Sequence, residues 1–166
     1  KPYDFLWYQF SNSLGEMVFR GVANALFGGA IALWLVGPPP SLAGFVVVLP
    51  AIVGSWVLNF CAAALIGLAA FVVEDVTAFV WIYQKAAFIL GGLLIPLDFY
   101  PGWLQAIAKA LPFSSMVYAP AKLFIAPTPA LFLNTLLLQS VWIAVLGLLL
   151  TLVYRRGLAQ LTVNGG

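Results

Sequence analysis

The chain has 166 residues, 64% of them hydrophobic and only 7% charged, where soluble domains carry about a quarter charged residues; with a mean hydropathy of +1.08 it reads as an integral membrane protein. A net charge of +2 is too small to suggest a nucleic-acid partner, and the few cations read instead as topology signals. With no histidine, a single cysteine and five scattered carboxylates, neither a metal site nor a histidine-based triad is expected, and no catalytic residue is assigned.

The chain opens at Lys1 in residues that read as the middle of a protein rather than a signal peptide, so a further N-terminal portion is expected to precede it. Tyr3, Trp7, Phe10 and Leu14 recur at helical spacing, with Asp4, Ser11 and Asn12 toward the other side. That pattern predicts an interfacial amphipathic helix over residues 1–15. From Gly21 to Val73 no residue is charged, and a straight helix of that length would run roughly 80 Å, far beyond one crossing of a hydrocarbon core about 30 Å thick. The break belongs at Gly37-Pro38-Pro39-Pro40-Ser41, which places spans over 16–36 and 42–73, the second kinked at Pro50 rather than ended by it. Glu74 and Asp75 close the second span, a third is predicted over 76–95, and a fourth over 131–154 before Arg155 and Arg156.

Between the third and fourth spans, residues 96–130 are assigned to short helices: the stretch from Ile95 to Pro127 is cut by Pro96, Pro101, Pro112, Pro120 and Pro127, which allow helices of about two to three turns at most. Pro101 should start a short helix and Pro112 stop it. Trp103, Leu104, Ile107 and Leu111 would form one face, Gln105 and Lys109 the other, and Asp98 is placed to cap the N-terminus. A second short helix is expected from Ser114 to Phe124 around Pro120. Lys1, Arg20, Arg155 and Arg156 flank the first and last spans, so four crossings put both ends on the cytoplasmic side and this proline-cut stretch outside. It reads either as a surface anchor for the third span or as a gate over a pathway.

Lys85 stands out because an ionisable group near mid-membrane is costly unless it faces protein or water; it is either a pathway-lining cation or a lysine snorkelling to the interface. Gln84, Asn59, Asn134 and Gln139 are read as interhelical hydrogen-bond groups ahead of substrate ligands. Glu16 and Arg20 are placed for a local ion pair, and Cys61 for a buried structural thiol. Small residues at Gly21, Ala25, Gly28, Gly29 and Ala32, at Ala63, Gly67 and Ala70, and at Ala87 and Gly91 imply close helix packing, by default within the chain. No GxxxxGK[ST] loop is present, so ATP has no phosphate cradle here.

Gly92, Ile95 to Leu97, Tyr100-Pro101, Trp103-Leu104, Ile107-Ala108, Leu111 to Phe113, Tyr118 and Pro120 form a pattern. With the final span and the basic ending YRRGLAQLTVNGG, it resembles the permease subunits of bacterial ABC exporters of the second type. Lys1 to Phe5 likewise resembles the point where that family leaves its cytoplasmic coupling helix. The resemblance implies an all-α polytopic bundle: four transmembrane helices in this chain, an N-terminal amphipathic helix and an extracellular re-entrant helical hairpin, with two further helices before Lys1. It implies a cytoplasmic ATPase partner that binds ATP and Mg, a second permease chain, surrounding membrane lipid, a multi-pass location in the bacterial cell membrane, and an amphipathic drug, lipid or glycan as cargo. No cofactor is expected on this chain. The candidate gate and pathway residues are Asp98, Tyr100, Pro101, Trp103, Lys85, Gln84 and Asn59. A non-transporting membrane scaffold and an ion-coupled carrier, the latter suggested by Lys85 and the kinked second span, are the alternatives.

Overall fold

A computed structural model describes residues 5–38, 43–71, 73 and 75–164. The described residues form helices and connections with no strand, and the chain divides into two units, residues 1–42 and 43–166.

The first unit is one helix, α1 (Phe5–Leu35). The expected boundary near residue 15 is absent: the amphipathic segment and the first span are continuous. A lone Gly15 costs a helix only about 1 kcal/mol relative to Ala, too little to break it without a proline or a competing turn. Residues 1–4, with Tyr3 and Asp4 of the amphipathic pattern, lie outside the described residues. The helix ends at Gly37, which takes the left-handed conformation (φ 91°) while its N–H bonds back to Leu33 O. This is the glycine termination that L-residues with a Cβ resist. Glu16 and Arg20 form the expected local pair at 3.6 Å on an exposed face, worth a few tenths of a kcal/mol, about 0.3–0.5.

The second unit contains α2 (Ala43–Leu68), α3 (Thr77–Leu90), α4 (Gly102–Ala110), α5 (Pro112–Met116), α6 (Tyr118–Ile125) and α7 (Pro129–Asn164). Helix α2 runs through Pro50 as expected and tightens into a 3₁₀ turn at Ala69–Phe71. Helix α7 starts on a Thr-Pro signal: the Thr128 hydroxyl accepts from Leu131 N–H at 3.2 Å, and Pro129 occupies a position where no N–H is needed.

The expected set of four full spans is not reproduced. Among the described residues, three helices are long and apolar enough to cross a membrane: residues 8–35, 44–68 and 129–157. Helix α3 has 14 residues, roughly 21 Å of helix against about 30 Å of hydrocarbon. Gly91-Gly92 stops it, with Gly92 at φ 73°, five residues before the boundary that hydrophobicity alone suggests.

Helices α2 and α7 make the most extensive packing in this unit, and α5 and α6 lie against both. The fully buried side chains Leu58, Leu97, Leu123, Thr135, Gln139 and Ser115 mark this centre. The outward faces of α2 and α7 carry Val46, Leu49, Val53, Leu133, Leu137 and Leu148 in the open, an arrangement suited to hydrocarbon rather than water.

Candidate functional site

The functional candidate is the set of short helices α4 to α6. A helix leaves its last carbonyls without intrahelical partners, and three helices this short expose many of them. Backbone away from water must be satisfied internally, and here side chains do it one by one. The Tyr100 hydroxyl donates to Ile89 O at 2.7 Å, near the end of α3. The Gln105 amide donates to Leu97 O at 2.9 Å, and the Ser115 hydroxyl to Pro112 O at 2.8 Å. The Trp142 indole N–H reaches Ala110 O, at the end of α4, at 3.0 Å. Gln139 donates to Ser115 O, near the end of α5, at 2.9 Å.

Gln139 is also the hub of α2 and α7. Its amide nitrogen lies 2.9 Å from Ala51 O and 3.2 Å from Ser55 Oγ, and Ser55 Oγ donates to Ala51 O at 2.8 Å. The amide fits because position 54 is glycine: a Cβ there would collide with it. Its Oε1 has no partner among the described residues, a buried unpaired acceptor of the kind that costs about 1–3 kcal/mol. Between Pro129 and Gln139 lie about 15 Å of helix, and between Ala43 and Ala51 about 12 Å. Helix α5 is therefore docked well inside the ends of both long helices. The return arm rises to their starts, where Phe124 meets Phe45 edge-on at 4.8 Å and its carbonyl sits over Gly44, close enough to exclude a Cβ.

A second polar cluster closes the hairpin at its exposed side. Tyr118 donates its single hydroxyl proton to Asp98, whose two oxygens both lie at 2.7 Å, and accepts from Lys122 Nζ at 2.7 Å. Lys122 also pairs with Asp98 at 3.3 Å and lies over the Tyr118 ring, 5.1 Å from its centroid. The Tyr118 hydrogen bond first, and then Lys122, hold the Asp98 carboxyl below the ordinary carboxylate range. The bond that Lys122 donates to the Tyr118 oxygen raises its ammonium above the ordinary lysine range.

Asp98 thus joins the 3₁₀ turn Leu97–Phe99 to α6 and does not cap α4, whose N-cap is Pro101 with no side-chain bond. Pro101 and Pro112 bound α4 as expected, but its faces differ from the expected pattern. Ala108 is buried and Gln105 turns inward to Leu97 O, while Trp103 and Ile107 stand exposed. The predicted helix over 114–124 is two helices parted at Val117 (φ −124°, ψ −65°). Pro120 falls in the first turn of α6, where its missing N–H costs nothing.

Asn59 and Gln84 line one cleft of about 320 Å³ between α2 and α3, with Ala63, Ile66, Gly67 and Val80. Asn59 accepts from the Tyr83 hydroxyl at 2.8 Å, the interhelical bond expected of it. Lys85, one position on from Gln84, is outside that lining; its ammonium lies 5.8 Å from the Trp81 ring. Neither Lys85 nor Trp103 is brought to Asp98. Close glycine packing occurs at Gly91, as expected, and at Gly44 and Gly54, which the small-residue stripes did not pick out; Gly67 has open space where a Cβ would go. Tyr118, Lys122, Ser55, Ser115 and Trp142 were also missed. The i,i+4 spacing of Tyr118 and Lys122 was a usable signal for that pair, whereas the Ser115 and Trp142 contacts depend on tertiary placement.

The sequence model of a family described as "ABC-2 family transporter protein" matches residues 2–165. No match was found to a curated protein or to a solved structure.

Proposed function

The chain belongs to the ABC-2 transporter family, a membrane transport component that works with an ATPase subunit, and from that premise we propose that it is the permease of an ATP-driven exporter. The observation that carries this reading is the seating of α5 and α6 against α2 and α7, with α4 packed on α5 and bonded to α7 through Trp142, some 15 Å along α7 by helical rise. A non-helical connection at that depth is tolerated in a bilayer only where protein buries and satisfies it, as the Gln139 and Trp142 bonds do here. We take α4 to α6 as a re-entrant hairpin at the outer end of the pathway, with α3 as the half-length helix leading into it.

In this reading two permease chains, identical or different, line the pathway, and the partner ATPases bind ATP and Mg. Their closure tilts the spans and opens the hairpin to release an amphipathic drug, lipid or glycan across a bacterial cell membrane. Asp98 and Tyr100 hold the hairpin's approach segment through their bonds to Tyr118 and to Ile89 O. Trp103 offers an exposed ring to the pathway or to lipid.

Co-reconstitution with the cognate ATPase in vesicles tests this. ATP-dependent extrusion of a fluorescent amphipathic probe should fall about tenfold, roughly 1.4 kcal/mol at the gating step, in the Asp98→Asn and Trp103→Ala variants at equal incorporation. Unchanged extrusion would remove the gate assignment. Extrusion that continues without ATP and collapses with the proton gradient would favour an ion-coupled carrier.

A further inference from the structure

Gln139 and Trp142 stand one turn apart on α7 and donate to two carbonyls of the same kind: Ser115 O near the end of α5 and Ala110 O at the end of α4. Both carbonyls come from helices too short to satisfy them internally, and both donors come from one long helix. The Gln139 amide has its orientation fixed by this arrangement, because turning it over would press Oε1 against the Ala51 and Ser115 carbonyls. Its nitrogen is fully used while its oxygen is left without a donor among the described residues. The side chain therefore serves the carbonyls at the expense of its own acceptor. Gly54 leaves the space in which it does so.

We propose that Gln139, assisted by Trp142, is a positioning residue that fastens the floor of the hairpin to α7, so that displacement of α7 is carried directly into α4 and α5. Helix α7 continues from this joint past Leu150 to Arg155 and Arg156 without a break, which makes it a single rigid element between the hairpin and the helix's far end. The inference rests on reading the hairpin as the gate, and it adds which bonds drive it. Asp98, Tyr118 and Lys122 close the opposite side and are not part of this joint.

The test uses the complex with its ATPase in vesicles, in a Cys61→Ala background carrying Met116→Cys as a reporter on the hairpin floor. Labelling by a membrane-impermeant maleimide and extrusion of the amphipathic probe per ATP hydrolysed are both read. Gln139→Leu keeps the volume and removes both N–H groups; labelling should accelerate at least about fivefold, as expected for loss of the bonds that hold the floor closed. Extrusion per ATP should fall by a similar factor while hydrolysis continues. Trp142→Phe keeps the ring and removes one donor, and should shift both readouts in the same direction by a smaller factor; it decides the matter if the Gln139 variant does not fold. Unchanged labelling in the folded variants overturns the proposal, and so does faster labelling with unchanged extrusion per ATP. If the unmodified complex exports nothing, the export reading fails, and unchanged or faster labelling still rejects or upholds the fastening.

Discussion

Asp98, Tyr118 and Lys122 form a clasp in which one phenol proton serves a carboxylate and one phenol oxygen serves an ammonium. Its pH dependence follows from the directions of the shifts. Asp98 is held below its ordinary 3.8, so its contribution is complete above about pH 4 and is lost as pH falls through the lower folded value. Lys122 is held above its ordinary 10.5, so its contribution is complete below that value and is lost as pH rises through the higher folded one. From about pH 5 to about pH 9 the clasp is therefore constant. On acidification below about pH 4 the thermal midpoint in detergent should fall more steeply for the wild type than for Tyr118→Phe, which lacks the largest cause of the Asp98 shift. Parallel acid profiles would show that the clasp contributes nothing. At the Gln139 joint, Gly54→Ala drives a methyl into the amide and should destabilise the protein by about 1–3 kcal/mol. Gly147→Ala, in open space on the same unit, should not. Denaturant titration in detergent compares the two; alanine gains helix propensity over glycine at both positions, so equal effects would show that the added methyl meets no obstacle at the joint.

At the scale of elements, the short helices are set by local chemistry and the long ones by their ends. Thr128 and Pro129 fix the start of α7. Thr128→Ala should cost about 1 kcal/mol, read as a lower unfolding midpoint, with Thr128→Ser restoring most of it. Prolines made the boundaries of α4 legible because a missing N–H is a property of the residue itself. The end of α3 was less legible. Hydrophobicity continues through Leu93, Leu94 and Ile95, so only the Gly91-Gly92 pair signals the stop, and Gly91 is needed there because a Cβ would run into Ala87 O, with Val117 and Phe113 O close behind. The continuity of α1 was misread for the opposite reason: a change in polarity along a helix moves it relative to a bilayer without breaking its backbone hydrogen bonds.

For the molecule as a whole, composition alone identified a membrane protein, since a chain with 64% hydrophobic and only 7% charged residues has too few polar groups to cover a water-facing surface. The motif pattern placed the chain with ABC permeases, and the family match agrees. Predictions at this scale are those of transport: loss of extrusion on changing Asp98 or Trp103, and loss of coupling on changing Gln139. Periodicity and proline spacing determined that the chain is helical and that Pro101 and Pro112 bound a short helix, because each depends on neighbours within a turn or two. Only the tertiary structure decided that Asp98 binds Tyr118 and Lys122 rather than a helix end, that Gln105 turns inward, and that Gln139 joins Ala51 to Ser115. Those partners are distant in sequence, and an unsatisfied carbonyl accepts any donor that packing brings within reach. Which donor arrives is a consequence of how the helices pack, and no local pattern records it.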